Sequence, residues 1–280
     1  MEILFHSKFF LHNPGSYAEG PYRIEDFKSL VREVDSNGEN YITVVHSESH
    51  QELVRDACMD HQVLAEVYLS PESYDAACSA VGLAVMAAER GDFAVVRPPG
   101  HHAKPERADG FCLFNNLAIA VRKLVNEGKK VFILDIDGHH GDGTQRIFYK
   151  DNRVLFCSVH QQYAYPWTGE PHETGEGEGK GYTMNFPLPA GSGDRELLEA
   201  VDKAIGRARE FKPDAVGVSA GFDGYHKDRL LGLEYTLDGY YQCGRRLARS
   251  FNHIFAVLEG GYHLDIRECV DHFIRGVNEP

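Results

Sequence analysis

"VFILDIDGHHGDG" (Val131–Gly143) opens with four apolar residues in a row, as a buried strand does. It then sets three aspartates and two histidines between positions 135 and 142, with glycines among them. Ionised groups at the end of a hydrophobic strand are costly unless something pairs with them. Asp137 and His139 are spaced i, i+2, so at a strand end both side chains project to the same side and offer an oxygen and an imidazole nitrogen together. Such a pair asks for a cation and for further ligands from elsewhere in the chain.

Similar runs recur. "YITVVHS" (41–47), "FAVVRP" (93–98), "VLFCSVH" (154–160), "AVGVSAG" (215–221) and "IFAVLEG" (254–260) read as strands beside "VFILDID" (131–137), and the N-terminal "MEILFHSKFF" reads as a first strand. Between them, helical spacing marks 72–90, 115–127, 194–210, 238–250 and 265–277, with Ser192 or Asp194 as the cap of the 194–210 helix. Strands hydrophobic throughout, alternating with helices of ten or more residues, predict an α/β fold with a parallel sheet covered on both faces. No repeat, charge block or linker divides the chain, so residues 1–280 read as one domain.

Five of these strands deliver a polar residue at their carboxyl ends: the His101-His102 pair, the Asp137/His139 group, His160, Asp223 and Tyr262. That edge is where open parallel sheets bind ligands. Asp223 supplies a second carboxylate, and two carboxylates with one histidine leave a coordination position open, the mark of a catalytic rather than a structural zinc site. The same O,N,O set also admits Fe(II), Co or Mn. His101 and His102 follow the rigid "RPPG" turn, and histidine is the side chain suited to general-base work near neutral pH. Asp135 and Asp142 are available to orient the two imidazoles. Tyr262, after Gly260-Gly261, is placed to polarise a carbonyl and hold an oxyanion.

The composition excludes some classes. The 280 residues carry a formal net charge of −13, which argues against direct nucleic-acid binding. No apolar run approaches the ~20 residues of a membrane helix, no signal-peptide pattern is visible, and the expected location is cytoplasmic. Six scattered cysteines (58, 78, 112, 157, 243 and 269) lack CxxC spacing and read as reduced core residues. "HETGEGEGKGY" (172–182) reads as a flexible glycine-rich loop, because Glu176 and Glu178 would repel a phosphate.

"RPPGHHA", "GFCLFNNLAIA", "DIDGHHGDGTQ", "SAGFD" and "LEGGYH", in that order, closely resemble the motif series of the histone deacetylase superfamily, on the side of its class II-like members and the acetylpolyamine amidohydrolases. The likeness runs from about "LHNPG" near residue 11 to Tyr262. It implies the arginase–deacetylase fold, with a central, mostly parallel sheet of about eight strands. It implies zinc on Asp137, His139 and Asp223, His101 and His102 as the tandem histidines with Asp135 and Asp142 behind them, and Tyr262 as the transition-state tyrosine. By the same resemblance, structural potassium involves Asp135, Ser158, Val159 and the main chain of Asp137 and His139. Gly110, Phe111 and Tyr165 match tunnel positions, with Leu230 and Gly261 beside them.

Three departures qualify the match. The H-P-E-x-P-E-R pattern appears as "YAEGPYR", with Arg23 and the proline recognisable. The loop acid that grips the substrate falls on Asp60 or Glu66. Leu230 stands where a polyamine-selective relative carries a glutamate. The implied activity is hydrolysis of an acylated amine, such as acetyl-lysine in a peptide or an N-acetylpolyamine. The rivals are an arginase-like two-manganese hydrolase and a catalytically silent acyl-amine binding module. No feature of the sequence specifies an oligomeric state.

Overall fold

The computed structural model describes residues 1–15, 18–28 and 33–280. Val131–Asp135 form strand β5, buried at every residue, because parallel neighbours hydrogen-bond it on both sides. These are β6 (Val154–Gln161) and β8 (Ala215–Ala220). Burying Val131, Phe132, Ile133 and Leu134 stabilises the fold by about 1.5–3 kcal/mol per side chain.

Outward from this centre lie β7 (Thr183–Leu188) on one side, then β9 (Ile254–Leu258), β4 (Phe93–Ala94) and β1 (Ile3–Leu4) on the other. The order is β1-β4-β9-β8-β5-β6-β7, parallel throughout. A short antiparallel hairpin, β2 (Val63–Leu64) with β3 (Val67–Tyr68), stands apart from the sheet.

Among the described residues the sheet therefore has seven strands, not about eight. The 41–47 segment is not one of them. Glu39–Val44 is a 3-10 helix, with i→i+3 bonds from Tyr41 N–H to Gly38 O at 2.8 Å and from Val45 N–H to Ile42 O at 3.2 Å. Its β-branched composition favours a strand, yet within Glu39–Val44 only Ile42 is buried, and among the described residues the segment pairs with no strand. The 93–98 run shortens to two paired residues because Pro98 and Pro99 bring no N–H to a ladder. Conversely, Thr183–Leu188 was not expected as a strand. It contains Pro187, which an edge strand tolerates.

The connections explain where the site falls. From β1 the chain passes through α2 (Pro71–Arg90) to β4, through α3 (Asn116–Asn126) to β5, and through α4 (Asp142–Phe148) to β6, moving in one direction across the sheet. After β7 it returns through α5 (Asp194–Phe211) to β8 and through α6 (Leu237–Ala248) to β9, ending in α7 (Ile266–Asn278). Right-handed crossovers put α2, α3 and α4 on one face and α5 and α6 on the other. The packing agrees: α2 meets α3, and α6 meets α5 and α7. The connection leaving β5 runs to β6 and that leaving β8 runs to β9, in opposite directions across the sheet, so the crevice at the carboxyl ends of β5 and β8 is the topological switch point.

Neither Ser192 nor Asp194 caps α5. The N-cap is Gly193, whose N–H donates to Glu196 at 3.0 Å. Asp194 instead accepts from the Thr236 N–H at 2.8 Å and the Thr236 hydroxyl at 2.6 Å. Helix α1 (Glu48–Met59) is capped by Ser47. All six cysteines are free and buried. Among the described residues no helix is long and apolar enough to cross a membrane.

Candidate active site

Asp137 and His139 leave the end of β5 and meet Asp223, which leaves the end of β8, so that one ligand atom from each lies within 4.8 Å of the others. Backbone donors aim both carboxylates. Asp137 accepts from the His139 N–H at 2.9 Å and the Gly260 N–H at 2.7 Å, and Asp223 Oδ1 accepts from the Gly138 N–H at 2.6 Å. The remaining oxygen, Asp223 Oδ2, lies 2.6 Å from His139 Nδ1, and Asp137 Oδ1 lies 3.3 Å from that same nitrogen. A Cβ on Gly260 would come within 2.6 Å of Asp137 Oδ2 and 2.7 Å of Asp223 Oδ2, so a glycine is needed there for the carboxylates to converge.

Two buried carboxylates this close repel each other. Burial first, then the Asp137 charge, push Asp223 up to about 7. Burial would also raise Asp137, but the cationic His101 and His139 hold it below the usual carboxylate range. His139, against its own burial, is raised to about 10 by Asp223 and Asp137. The three groups fit a divalent cation, which would neutralise both carboxylates and take the imidazole nitrogen as a third ligand.

The tandem histidines stand beside this centre, their ring centroids 4.0 Å apart. His101 Nδ1 is 3.2 Å from Asp135 Oδ2, and His102 Nδ1 is 2.9 Å from Asp142 Oδ1. The two environments separate the pair. Burial opposes charge on both, but Asp137 and Asp135 raise His101 well above its ordinary value. His102, facing the His101 charge, is lowered to about 3. Burial pushes Asp135 up to about 6. Asp142, despite its burial, is drawn down to about 2 by His102 and Lys104. Glu259 tethers the turn before the pair: its Oε2 accepts the N–H groups of Gly100 at 2.7 Å and His101 at 3.1 Å.

Tyr262 is held by its backbone. Its N–H donates to Asp228 Oδ2 at 2.7 Å, and its carbonyl accepts the Tyr22 hydroxyl at 3.2 Å. The Arg23 guanidinium lies 4.9 Å over the Tyr262 ring and donates to the Gly261 carbonyl at 2.5 Å and to the Glu259 carbonyl. Burial raises the Tyr262 phenol well above its usual value.

A cavity of about 230 Å³ brings these groups together. His102, His139 and Tyr262 line it, with Gly110, Phe111 and Tyr165 as walls. Leu230 and Glu66 complete it, whereas Asp60, just beyond the end of α1, does not line it. Gly110 adopts φ +50°, and a Cβ there would approach His102 Cδ2 at 2.6 Å, which is why glycine stands at this wall. Gly261 does not line the cavity. His160 turns away from it, bonding Ser158 Oγ at 2.9 Å and the Gly169 carbonyl at 3.1 Å. Ser158 is the register partner of Asp135 across β5 and β6, and Val159 follows it.

A model described as "Histone deacetylase domain" matches residues 22–277, a range that includes each of these cavity and ligand side chains. The chain belongs to the histone deacetylase family. A probable deacetylase of Archaeoglobus fulgidus is 41% identical over 86% of this chain and 69% of its own length. An acetylpolyamine amidohydrolase of Burkholderia pseudomallei is 41% identical over 72% of this chain and 59% of its own. The rice histone deacetylase 10, chloroplastic, is 43% identical, and the match spans only 45% of that relative. Among solved structures, the HDA15 HD domain superposes with a TM-score of 0.93 at 30% identity, covering 100% of this chain and 91% of that one. The Burkholderia acetylpolyamine aminohydrolase gives 0.85 at 30% identity, covering 100% and 99%. The arginase–deacetylase architecture is thereby shown.

This histone deacetylase family member also contains functional neighbours that motif reading passed over. Glu19 is completely buried. Its carboxylate takes a forked pair from Arg97 at 2.6 and 2.8 Å and a third bond from Arg23 at 3.0 Å. The Glu19–Arg23 spacing of four residues inside "YAEGPYR" was the available signal; Tyr17, the first residue of that stretch, lies outside the described residues. Asp228 and Glu259 gave no signal, since the contacts that tie them to the site, to the Tyr262 N–H and to the Gly100 and His101 N–H groups, span 34 and about 160 residues of sequence. Within the 172–182 loop, Glu173 accepts from the Gly169 N–H at 3.0 Å and the Glu170 N–H at 2.9 Å.

Proposed function

We propose that the chain is a zinc-dependent amidohydrolase that removes an acetyl or other acyl group from an amine. The observation that carries this reading is the convergence of Asp137, His139 and Asp223 beside a cavity that also presents His102 and Tyr262. These three residues would hold the ion with one position open. When bound, it supplies Lewis acidity and lowers the pKa of water toward neutrality.

The side chains divide the remaining work. His102 has Nδ1 committed to Asp142 and is kept neutral, so its other ring nitrogen is available to take the proton from the attacking water. His101, whose Nδ1 lies 3.2 Å from Asp135 Oδ2, contributes positive charge behind it, and the pair returns a proton to the leaving amine. The Tyr262 phenol stays protonated and donates a hydrogen bond to the oxyanion as it develops. Gly110, Phe111 and Tyr165 flank the acyl-amine chain and exclude water. Glu66, rather than Asp60, is the acid placed to grip the substrate outside.

The substrate class is an acetyl-lysine peptide or an N-acetylpolyamine, and Leu230 favours the peptide. A potassium ion would bind at Asp135, Ser158 and Val159 with the main chain of Asp137 and His139. A cytoplasmic setting fits six free thiols. The two-metal alternative has no support from a second ligand cluster among the described residues.

The test is a kcat/KM panel of acetyl-lysine peptides, longer acyl-lysines and N-acetylated polyamines, run with metal content measured on the same protein. Turnover of at least one class with one divalent ion per chain is expected. A fully loaded protein inert on all of them would end the reading.

A further inference from the structure

Lys104 comes two residues after the histidine pair, and its ammonium reaches two carboxylates at once. Nζ lies 2.6 Å from Asp142 Oδ2 and 2.8 Å from Asp109 Oδ2. Each carboxylate uses its other oxygen to hold a different cavity residue. Asp142 Oδ1 is 2.9 Å from His102 Nδ1, and Asp109 Oδ1 accepts the Tyr165 phenol at 2.9 Å. One nitrogen thus closes an unbroken series of hydrogen bonds from the cavity wall to the base. Every link carries a charge, which makes the bonds shorter and stronger than neutral ones.

The anchor itself is fixed. Lys104 and Arg107 exchange backbone hydrogen bonds at 2.8 and 3.3 Å, and the Lys104 carbonyl receives His46 Nδ1 at 3.0 Å. Arg107 adds a second cation 3.1 Å from Asp109 Oδ2, so two carboxylates meet two cations and the cluster is electrically balanced. A separate cavity of about 340 Å³, lined by Arg146, Thr168 and Glu173, reaches Lys104 and Asp142. Without the ammonium, Asp142 Oδ2 would be free to turn toward that cavity and loosen its grip on the imidazole.

We propose that Lys104 is a positioning residue that fixes His102 through Asp142 and Tyr165 through Asp109, setting base and wall as one unit. The inference rests on the amidohydrolase reading, which turnover by the unmodified protein tests separately. Misplacing a reacting group by an ångström costs on the order of 100-fold in rate, so the effect is measurable.

The experiment compares wild type, Lys104→Met, Lys104→Arg and Asp109→Ala on a fluorogenic acetyl-lysine amide. Lys104→Met is expected to lower kcat by roughly tenfold or more and to raise KM. Asp109→Ala, which unties Tyr165 directly and leaves Lys104 on Asp142, moves KM more than kcat. Lys104→Arg, which keeps the charge, recovers most of kcat. Tyr165→Phe costs less in the Lys104→Met background than in wild type, because the wall is already untied. Lys104→Gln replaces the Met variant if that chain does not fold.

Kinetic constants of folded Lys104→Met within twofold of wild type would overturn the proposal. So would equal losses for Arg and Met, or additive effects with Tyr165→Phe. If the wild type is inert, the amidohydrolase reading has failed, and crystal structures of wild type and Lys104→Met decide the inference. Shifted His102 and Tyr165 rings support it; unmoved rings overturn it.

Discussion

Oδ2 of Asp223 lies 2.6 Å from Nδ1 of His139, although 84 residues of chain separate them. Adjacent parallel strands bring the two together, and neither residue alone makes a site. Asp223→Asn is therefore expected to abolish both metal retention and amide hydrolysis. Metal analysis and the shift in Tm on adding Zn2+ provide readouts independent of activity, since ligand binding to the native state alone raises stability. A variant that keeps one ion per chain and its Zn2+-dependent Tm shift would contradict the assignment.

Tyr262→Phe keeps the ring between Phe111 and Arg23 and removes only the hydroxyl. Losing one preorganised oxyanion donor costs on the order of 100- to 1000-fold in kcat. KM should change little, because the phenol is asked to act in the transition state. Steady-state kinetics on an acetyl-lysine peptide measure both, and full kcat in the variant would remove Tyr262 from the mechanism.

Glu19 stands between two guanidinium groups in a site with no exposed surface. Glu19→Gln keeps the shape and removes the carboxylate that pairs them. Breaking a buried ion pair from one side costs about 3–5 kcal/mol, to be read by urea denaturation. Because Arg23 also supports Gly261 and the Tyr262 ring, kcat should fall even where the variant remains folded. A loss below 1 kcal/mol would show that the arginines find other partners.

His46 gives the protein an acid limit. Its Nδ1 faces the Lys104 carbonyl at 3.0 Å, and its Nε2 accepts the Asn115 N–H at 2.9 Å. An imidazole that donates from one nitrogen and accepts at the other is neutral. Burial, then the charge of His50, lowers it to about 3. The unfolded chain titrates near 6.5, so between those values it binds more protons than the native state. Stability present above pH 6.5 should fall by about 1.4 kcal/mol per pH unit on acidification. Denaturation from pH 7 to 4 should show a slope about one proton shallower in His46→Asn; parallel curves would refute this.

The central strands and the Asp137/His139/Asp223 group could be read directly, because four-residue apolar runs ending in polar residues have few alternatives. The 41–47 run misled because β-branched composition reports a preference for a pleated surface and not whether a partner strand is present. Thr183–Leu188 escaped notice because Pro187 argues against a strand unless an edge position is known. Glu19 and Arg97 are 78 residues apart, and no local pattern records such a partnership. That Glu66 lines the cavity and Asp60 does not likewise required the fold, since the two acids lie only six residues apart in sequence.

The opposite winding on the two sides of the β5–β8 pair bears on biogenesis. Asp137 and His139 leave the ribosome well before Asp223, and the layer of β6, β7 and α5 is synthesised in between. A nascent chain halted before β8 would possess two of the three ligands and no grip on an ion. On the zinc reading, an ion could be gripped only once β8 is made, and it would then act as a clasp between segments synthesised far apart.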